Sequence, residues 1–158
     1  MIVNVDAAKL ANALEDFYRA TGINLNLMDT DFVPLGHHTL VHNGYCSAIQ
    51  GMPKGKAACG KSDRALLEKC RQSRQTEIHV CHAGLIDIAF PVEYEDRIIA
   101  YILMGQIKKG TDFSALSNYL SGLSLNVTKL ESCYNELTSY DDTMINSVKN
   151  LAVMLTRY

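Results

Sequence analysis

The residues best able to do chemistry in this chain are its sulfur and imidazole groups. Five cysteines and five histidines occur in 158 residues, and Cys81 directly precedes His82. Thiolate and imidazole ligands suit zinc, and thiolates hold iron–sulfur clusters. Cys46, Cys59, Cys70, Cys81, Cys133 and His82 are therefore the candidate set, although no CxxC pair is present. Geometry prunes it. If Lys56 to Ser73 is one helix, Cys59 and Cys70 lie on one side of it but roughly 16 Å apart at about 1.5 Å per residue, too far for one ion. On a regular strand Cys81 and His82 point to opposite faces, so sharing a metal or a proton requires the backbone to bulge, which Ala83 and Gly84 permit. The surviving metal set is Cys46, Cys59 and Cys81 with His82, for zinc or an iron–sulfur centre. Free cysteine is more often a small buried hydrophobe, so the leading expectation is no cofactor, with the thiol-based metal or redox sensor as the alternative. Cys133 reads as core, and His37, His38 and His42 as an exposed loop.

Several functions are disfavoured at once. Diverging neighbours on a strand cannot work as a thiolate and its base, and the chain carries neither a Gly-rich phosphate loop nor a GxSxG motif, so no enzyme is expected. The net charge is −2. The basic run Lys54, Lys56, Lys61, Arg64, Lys69, Arg71 and Arg74 is interleaved with Asp63 and Glu68, which reads as a solvated helix face. A phosphate-binding stripe would need clustered cations, so no direct nucleic-acid contact is expected. No apolar run of about 18 residues could span a bilayer, and the N-terminus lacks signal-peptide regions. The expectation is a cytoplasmic protein, with no membrane contact and with reduced thiols.

The elements that must position these groups centre on Val80 to Gln106, VCHAGLIDIAFPVEYEDRIIAYILMGQ. It reads as two apolar strands around a turn at Glu95 and Asp96. Strand side chains alternate faces, and the turn fixes the register. Tyr94 then faces Arg97, Val92 faces Ile99, Phe90 faces Tyr101, Ile88 faces Leu103 and Ile86 faces Gly105. The other face pairs Pro91 with Ala100, Ala89 with Ile102, Asp87 with Met104 and Leu85 with Gln106, and Cys81 joins it by parity. Two nonpolar faces imply that both are covered. A few convergent polar groups on one of them are what a ligand cavity needs.

Around the hairpin, Ala7 to Ala20 reads as an amphipathic helix between an Asp6 cap and Gly22. Ile23 to Met28 alternates as a strand ending at Asp29, Thr30 and Asp31, and a second strand is expected from Phe32 to about His38. Tyr45 to Ile49 reads as a short helix, Lys56 to Ser73 as a longer one, and Thr76 to Cys81 as a strand. Two modest helices follow near Asp112 to Leu120 and Val127 to Leu137. In the last segment Ile145, Val148, Ala152 and Leu155 alternate spacings of three and four, a helix stripe that suits a homodimer through the terminal helices.

The motifs FxxxG (from Phe32), YCSAIQ, ACGKSD, VCHAGLIDIAFPV and IIAYILMGQ, over about Leu25 to Lys108, resemble the PocR ligand-binding domain family. The resemblance implies a variant PAS-like sensor of small organic compounds such as short diols, attached to AraC-type regulators or histidine kinases. It carries over Cys46; Cys59 with Ser62 and Asp63; Cys81 with His82 and Gly84; Asp87 and Pro91; and Gly105 with Gln106. Cys70 and Cys133 fall outside it, and Ala100 stands where the family commonly has glycine. The expected fold is α+β, a PAS-like five-stranded antiparallel sheet covered by helices. The whole of 1–158 is expected to be one sensory domain, with a core at about 23–108 and a helical C-terminal extension at 111–158 ending in an output helix. The expected ligand contacts are Cys46, Cys59, Cys81, His82, Leu85, Asp87, Met104 and Gln106. The output domain, DNA-binding or kinase, is expected outside this chain.

Overall fold

The computed structural model describes residues 7–35, 43–110 and 112–156. In chain order these form α1 (Ala7–Thr21), β1 (Asn24–Met28), α2 (Gly44–Gln50), α3 (Pro53–Ser73), β2 (Glu77–Val80), β3 (Ile86–Tyr94), β4 (Arg97–Ile107), α4 (Ser114–Gly122), α5 (Val127–Glu136) and α6 (Asp142–Leu155). The strands make one antiparallel sheet in the order β1-β4-β3-β2. The fold is α+β.

The hairpin forms at the expected turn. Tyr94 pairs with Arg97, and Glu95 and Asp96 both take positive φ, 48° and 59°, as a two-residue turn matched to strand twist requires. Beyond it the register departs from strict alternation. Glu93 pairs with Ile98 but Val92 with Ala100, so Ile99 is an extra residue on β4. Every later pair is displaced by one: Phe90 meets Ile102, Ala89 meets Leu103 and Ile88 meets Met104. A second irregularity follows, because Ile86 pairs with Ile107. Asp87 alone on β3 therefore faces Gly105 and Gln106 together on β4. The expected pairing of Asp87 with Met104 is corrected by the first bulge, since a one-residue slip moves a side chain to the other face.

The faces sort accordingly. Ile88, Phe90, Val92, Ala100, Ile102 and Met104 pack with Leu14 of α1 and with Ile145, Val148 and Ala152 of α6. On the opposite face Ala89, Tyr101 and Leu103 pack with Leu66, Leu67 and Cys70 of α3. A third cluster joins Tyr45 and Ile49 of α2 to Leu85, Phe113, Leu120, Leu130 and Tyr134. The last helix, capped by the Asp141 side chain accepting from the Met144 amide, thus lies against the sheet instead of running clear of it. Met144, Leu151 and Met154 remain exposed on its outer side.

Among the described residues the sheet has four strands, not five. The expected second strand does not form over 32–35. The Asp29 carboxylate accepts the amides of Asp31 and Val33, Phe32 takes φ 66°, and the returning chain makes a single bridge, Met28 to Pro34. Two backbone bonds flank it, the Asp29 amide to the Val33 carbonyl (2.8 Å) and the Leu35 amide to the Leu27 carbonyl (2.8 Å), and the described residues end there at 35. The rest of that expected strand, His37, His38, His42 and the Asp6 cap lie outside the described residues.

Gly22 ends α1 at φ 72° and donates to the Tyr18 carbonyl. Four of the seven cations in the basic run are engaged locally: Lys69 pairs with Glu77, Arg71 with Glu68 and Arg74 with Glu93, and the Arg64 and Arg71 guanidinium groups lie over the Phe32 ring. The helix starts at Pro53, earlier than Lys56, because proline suits a first turn whose amides are unpaired anyway. Its approach to α2 depends on Gly55, where a Cβ would stand 2.1 Å from the Ile49 carbonyl oxygen. Backbone cannot rotate away as a side chain can, so Gly55→Ala is expected to cost on the order of 1–3 kcal/mol of overpacking strain. Urea unfolding of the two proteins measures it; an unchanged midpoint would show that α2 and α3 separate freely.

A candidate ligand cavity

A cavity of about 300 Å³ lies between the sheet face of β1, β4 and β3, the helices α2 and α3, and the turn from Cys81 to Leu85. This is the small end of the roughly 300–1,000 Å³ range of ligand pockets. From α3 it receives Lys56, Cys59, Gly60 and Asp63, the three- and four-residue spacings of one helix face. From α2 come Cys46, Ile49 and Gln50, and from the sheet Asp87, Leu103, Gly105 and Gln106.

The expected divergence of Cys81 and His82 is resolved by a turn, as both residues lie beyond the end of β2. The Cys81 amide donates to the Leu85 carbonyl (2.7 Å), the Gly84 amide to the Cys81 carbonyl (2.9 Å), and Gly84 takes φ 81°. The Tyr45 hydroxyl, buried in the third cluster, donates to the Ala83 carbonyl (2.8 Å) and fixes the turn from below. Cys81, His82 and Leu85 all line the cavity as a result.

The His82 ring links two elements that the sequence keeps far apart. Its Nε2 is 3.1 Å from Cys59 Sγ and its Nδ1 is 3.2 Å from the Tyr119 hydroxyl on α4. Burial, first, and then the charges of Asp63 and Asp87 push the Cys59 thiol up to about 11, against a hydrogen bond with Gln50. Burial pushes Cys81 up to about 12 and Cys46 higher still, with neighbouring acid and thiol groups adding to it. Desolvation also lowers His82. All four groups are neutral at pH 7.

Asp87 is buried, at 8% exposure. Its Oδ1 accepts the Gln106 amide (3.1 Å), and its Oδ2 lies 3.7 Å from Nε2 of His79, its register partner on β2. The Gln106 side chain reaches the other way, its Oε1 accepting both the backbone amide (3.2 Å) and the side-chain amide (3.0 Å) of Asn43. Asn43 in turn caps α2, its oxygen accepting from the Cys46 amide. Asp63, beside Cys59 on α3, carries no hydrogen bond or ion pair among the described residues.

Of the eight contacts expected from the sequence, Cys46, Cys59, Cys81 and His82 line the cavity, as do Leu85, Asp87 and Gln106. Met104 does not: the bulge at Ile99 turns it into the α1 and α6 core, fully buried. Sequence reasoning missed His79, Tyr119 and Asn43 as partners of the site. Only Asn43 had a local signal, an Asn just ahead of a short helix. Among the described residues no three His, Cys, Asp or Glu side chains are arranged to hold one metal ion, and none of the helices is long and apolar enough to cross a membrane.

An antiparallel sheet roofed by helices thus encloses a polar-studded compartment. The chain belongs to the family described as the sensory domain found in PocR, whose profile matches residues 4–158. It is similar to the Regulatory protein PocR of Salmonella typhimurium, with 28% identity over 101 residues, 62% of this chain and 32% of that protein. The matched part is thus about a third of the relative's length. It also aligns with a crystal structure of an IclR homolog complexed with 4-hydroxybenzoate from Microbacterium hydrocarbonoxydans, at 14% identity and TM-score 0.37 over 87% of this chain and 72% of that one. A superposition that loose supports no conclusion about fold or ligand.

Asp63 gives the cavity a titration near neutrality. Burial first, then the Asp87 charge, raise it to about 7, opposed by His79. Its folded pKa thus lies above the unfolded value of about 3.9, so the native state holds the proton more tightly. The stability this contributes is fully present below about pH 4 and is lost as pH rises through about 7. In Asp63→Asn that loss disappears. The melting temperature of the variant relative to the parent should rise between pH 5 and pH 8 by a few degrees, at about 2–4 °C per kcal/mol for a chain of this size. A difference that stays flat across this range would mean an ordinary, solvated Asp63.

Proposed function

We propose that this chain is the sensory domain of a signalling or transcription regulator and binds a small polar organic molecule in the cavity over the β3–β4 bulge. The observation that carries this reading is the cavity itself, with apolar walls from Ile49, Leu85 and Leu103 and a few convergent polar groups. The contacts are Cys46, Cys59, Cys81, His82, Leu85, Asp87 and Gln106, with Asp63 added and Met104 withdrawn. Candidate ligands are short diols, organic acids and small sugars. The domain is read as PAS-like and cytoplasmic, with a regulatory and not a catalytic role. Its output partner is a DNA-binding domain of AraC type or a kinase. The stripe expected to carry a homodimer, Ile145, Val148, Ala152 and Leu155, packs into the core instead, so the exposed Met144, Leu151 and Met154 of α6 are read as the homodimer contact in its place, which makes α6 the output helix.

The alternative, a thiol-based metal or redox sensor, is favoured by one contact, Cys59 to His82. Metal binding and thiol oxidation both start from thiolate, whereas the thiols lining this cavity are held protonated. That weighs toward organic ligand sensing without a zinc or iron–sulfur cofactor. Stoichiometric metal in protein purified without chelator, lost in Cys81→Ser, would reverse the preference.

Gly60 offers a clean test of the cavity. It lines the space, and a Cβ there would meet nothing within 4 Å. Gly60→Leu should leave the domain folded, with up to about 1 kcal/mol of helix propensity gained, while filling part of the ligand volume. A ligand that binds only the native state raises its stability by about 2.7 kcal/mol at 100 times its Kd. A thermal-shift screen of the parent is expected to find such a stabiliser, and its shift should vanish in Gly60→Leu. Equal shifts in both proteins would place the ligand elsewhere, and a screen with no stabiliser among the three classes would count against the reading.

A further inference from the structure

Three thiols line the cavity, but among the described residues only Cys59 has an imidazole within hydrogen-bond distance. We propose that Cys59 is a covalent capture site for small aldehydes, adding reversibly to the carbonyl carbon with His82 as the base. This rests on the cavity being the ligand site and adds to it the bond that would hold one class of ligand.

Cys59, His82 and Asp63 converge on the reacting position, with Tyr119 behind the His82 ring. Sγ of Cys59 faces His82 Nε2 at 3.1 Å, and Tyr119 Oη sits 3.2 Å from Nδ1. In the tautomer with its proton on Nδ1, donated to Tyr119, the Nε2 lone pair is directed at the thiol. Asp63 lies four residues further along the same helix face and lines the same space. With its acid proton retained to about pH 7, it is a hydrogen-bond donor to an oxygen bound between itself and Cys59.

The addition balances without any co-reactant. The S–H bond breaks and its proton passes to His82 Nε2, Sγ bonds to the carbonyl carbon, and the C=O π pair moves onto oxygen. The imidazolium then returns the proton to that oxygen, leaving a thiohemiacetal. Asp63 donates a hydrogen bond to the oxygen while it carries charge. Nothing is oxidised or reduced and no group leaves, so the step reverses when the free aldehyde falls. A thiol held protonated by its surroundings is also slow to reduce peroxide, because it is the thiolate that attacks the peroxide oxygen. The S–C bond therefore forms as the proton moves to His82, and no free thiolate has to accumulate.

The test uses the intact chain with [1-13C]butanal, and with 1-butanol as the non-covalent counterpart. Carbon NMR of the parent should show a thiohemiacetal carbon that persists in Cys46→Ser and Cys81→Ser and is absent in Cys59→Ser. His82→Gln should form it roughly 10²-fold more slowly, the usual size of a lost general base. Circular dichroism confirms that each variant is folded. Butanal should raise the melting temperature of the parent more than that of Cys59→Ser, while 1-butanol shifts both equally. A thiohemiacetal signal surviving in Cys59→Ser, or a rate unchanged in His82→Gln, overturns the proposal. If 1-butanol stabilises the parent but no thiohemiacetal forms, covalent capture fails and the cavity reading stands. If neither probe stabilises the parent or forms an adduct, covalent capture fails, and the cavity reading must then rest on the diols, acids and sugars of the separate screen.

Discussion

The structure turns on one carboxylate in one notch. Asp87 faces two residues of β4 where regular pairing would supply one, and its Oδ1 lies where a side chain at position 105 would have to be: a Cβ on Gly105 would stand 2.2 Å away. The same oxygen accepts the Gln106 amide, and Gln106 takes φ 65°, a left-handed conformation that a non-glycine residue adopts only when its surroundings enforce it. With the backbone so turned, the Gln106 side chain reaches Asn43, and Asn43 sets the first turn of α2. The position of Cys46 thus follows from a bulge some sixty residues further along the chain. A buried acid needs hydrogen bonds to offset its lost hydration, and this one obtains them by shaping the site it lines.

Helix positions and the hairpin turn were legible in the sequence because they depend on local signals: apolar spacing, Asp141 and Gly22 at helix ends, and Glu95–Asp96 between two apolar runs. Register beyond the turn was not. A bulge at Ile99 inserts an aliphatic residue into a run of aliphatic residues, IIAYILM, and no change of polarity marks it. That one residue decides whether Met104 or Leu103 faces the cavity. The turn signal at Asp29 to Asp31 was read correctly, and of the strand expected after it the described residues hold one bridge, Met28 to Pro34. The Cys59–His82–Tyr119 chain could not be foreseen from spacing, since three separate elements supply it. Residue type and spacing already singled out Cys59, Cys81 and His82, and the PocR resemblance added Asp63 beside Cys59.

Electrostatically the cavity suppresses charge. Burial is the first cause of the shifts of the three cavity thiols and of Asp63, and Asp87 adds to each of them. A site with neutral thiols, a neutral imidazole and an acid that keeps its proton near pH 7 pays little to be dehydrated by an uncharged guest. It still presents donors and acceptors for orientation. A cavity that held several thiolates would instead favour metals or oxidants.

How occupancy could leave the cavity follows from the two-sidedness of the sheet. Asp87 faces the ligand space, while its neighbour Ile88 and that residue's partner Met104 are fully buried against the cluster that holds Ile145, Val148 and Ala152 of α6. Close-packed interiors pass on displacements because they have no slack to absorb them. A ligand that draws on the Asp87 or Gln106 contacts therefore acts on residues whose other side bears α6. The contact alone is insufficient: a molecule bound equally well with α6 in either of two positions would shift nothing. The selective groups must be those whose geometry changes with the sheet, which are the bulge residues and not the helix thiols. On the proposed reading, Cys59 and His82 hold the molecule, while Asp87 and Gln106 carry its presence to α6.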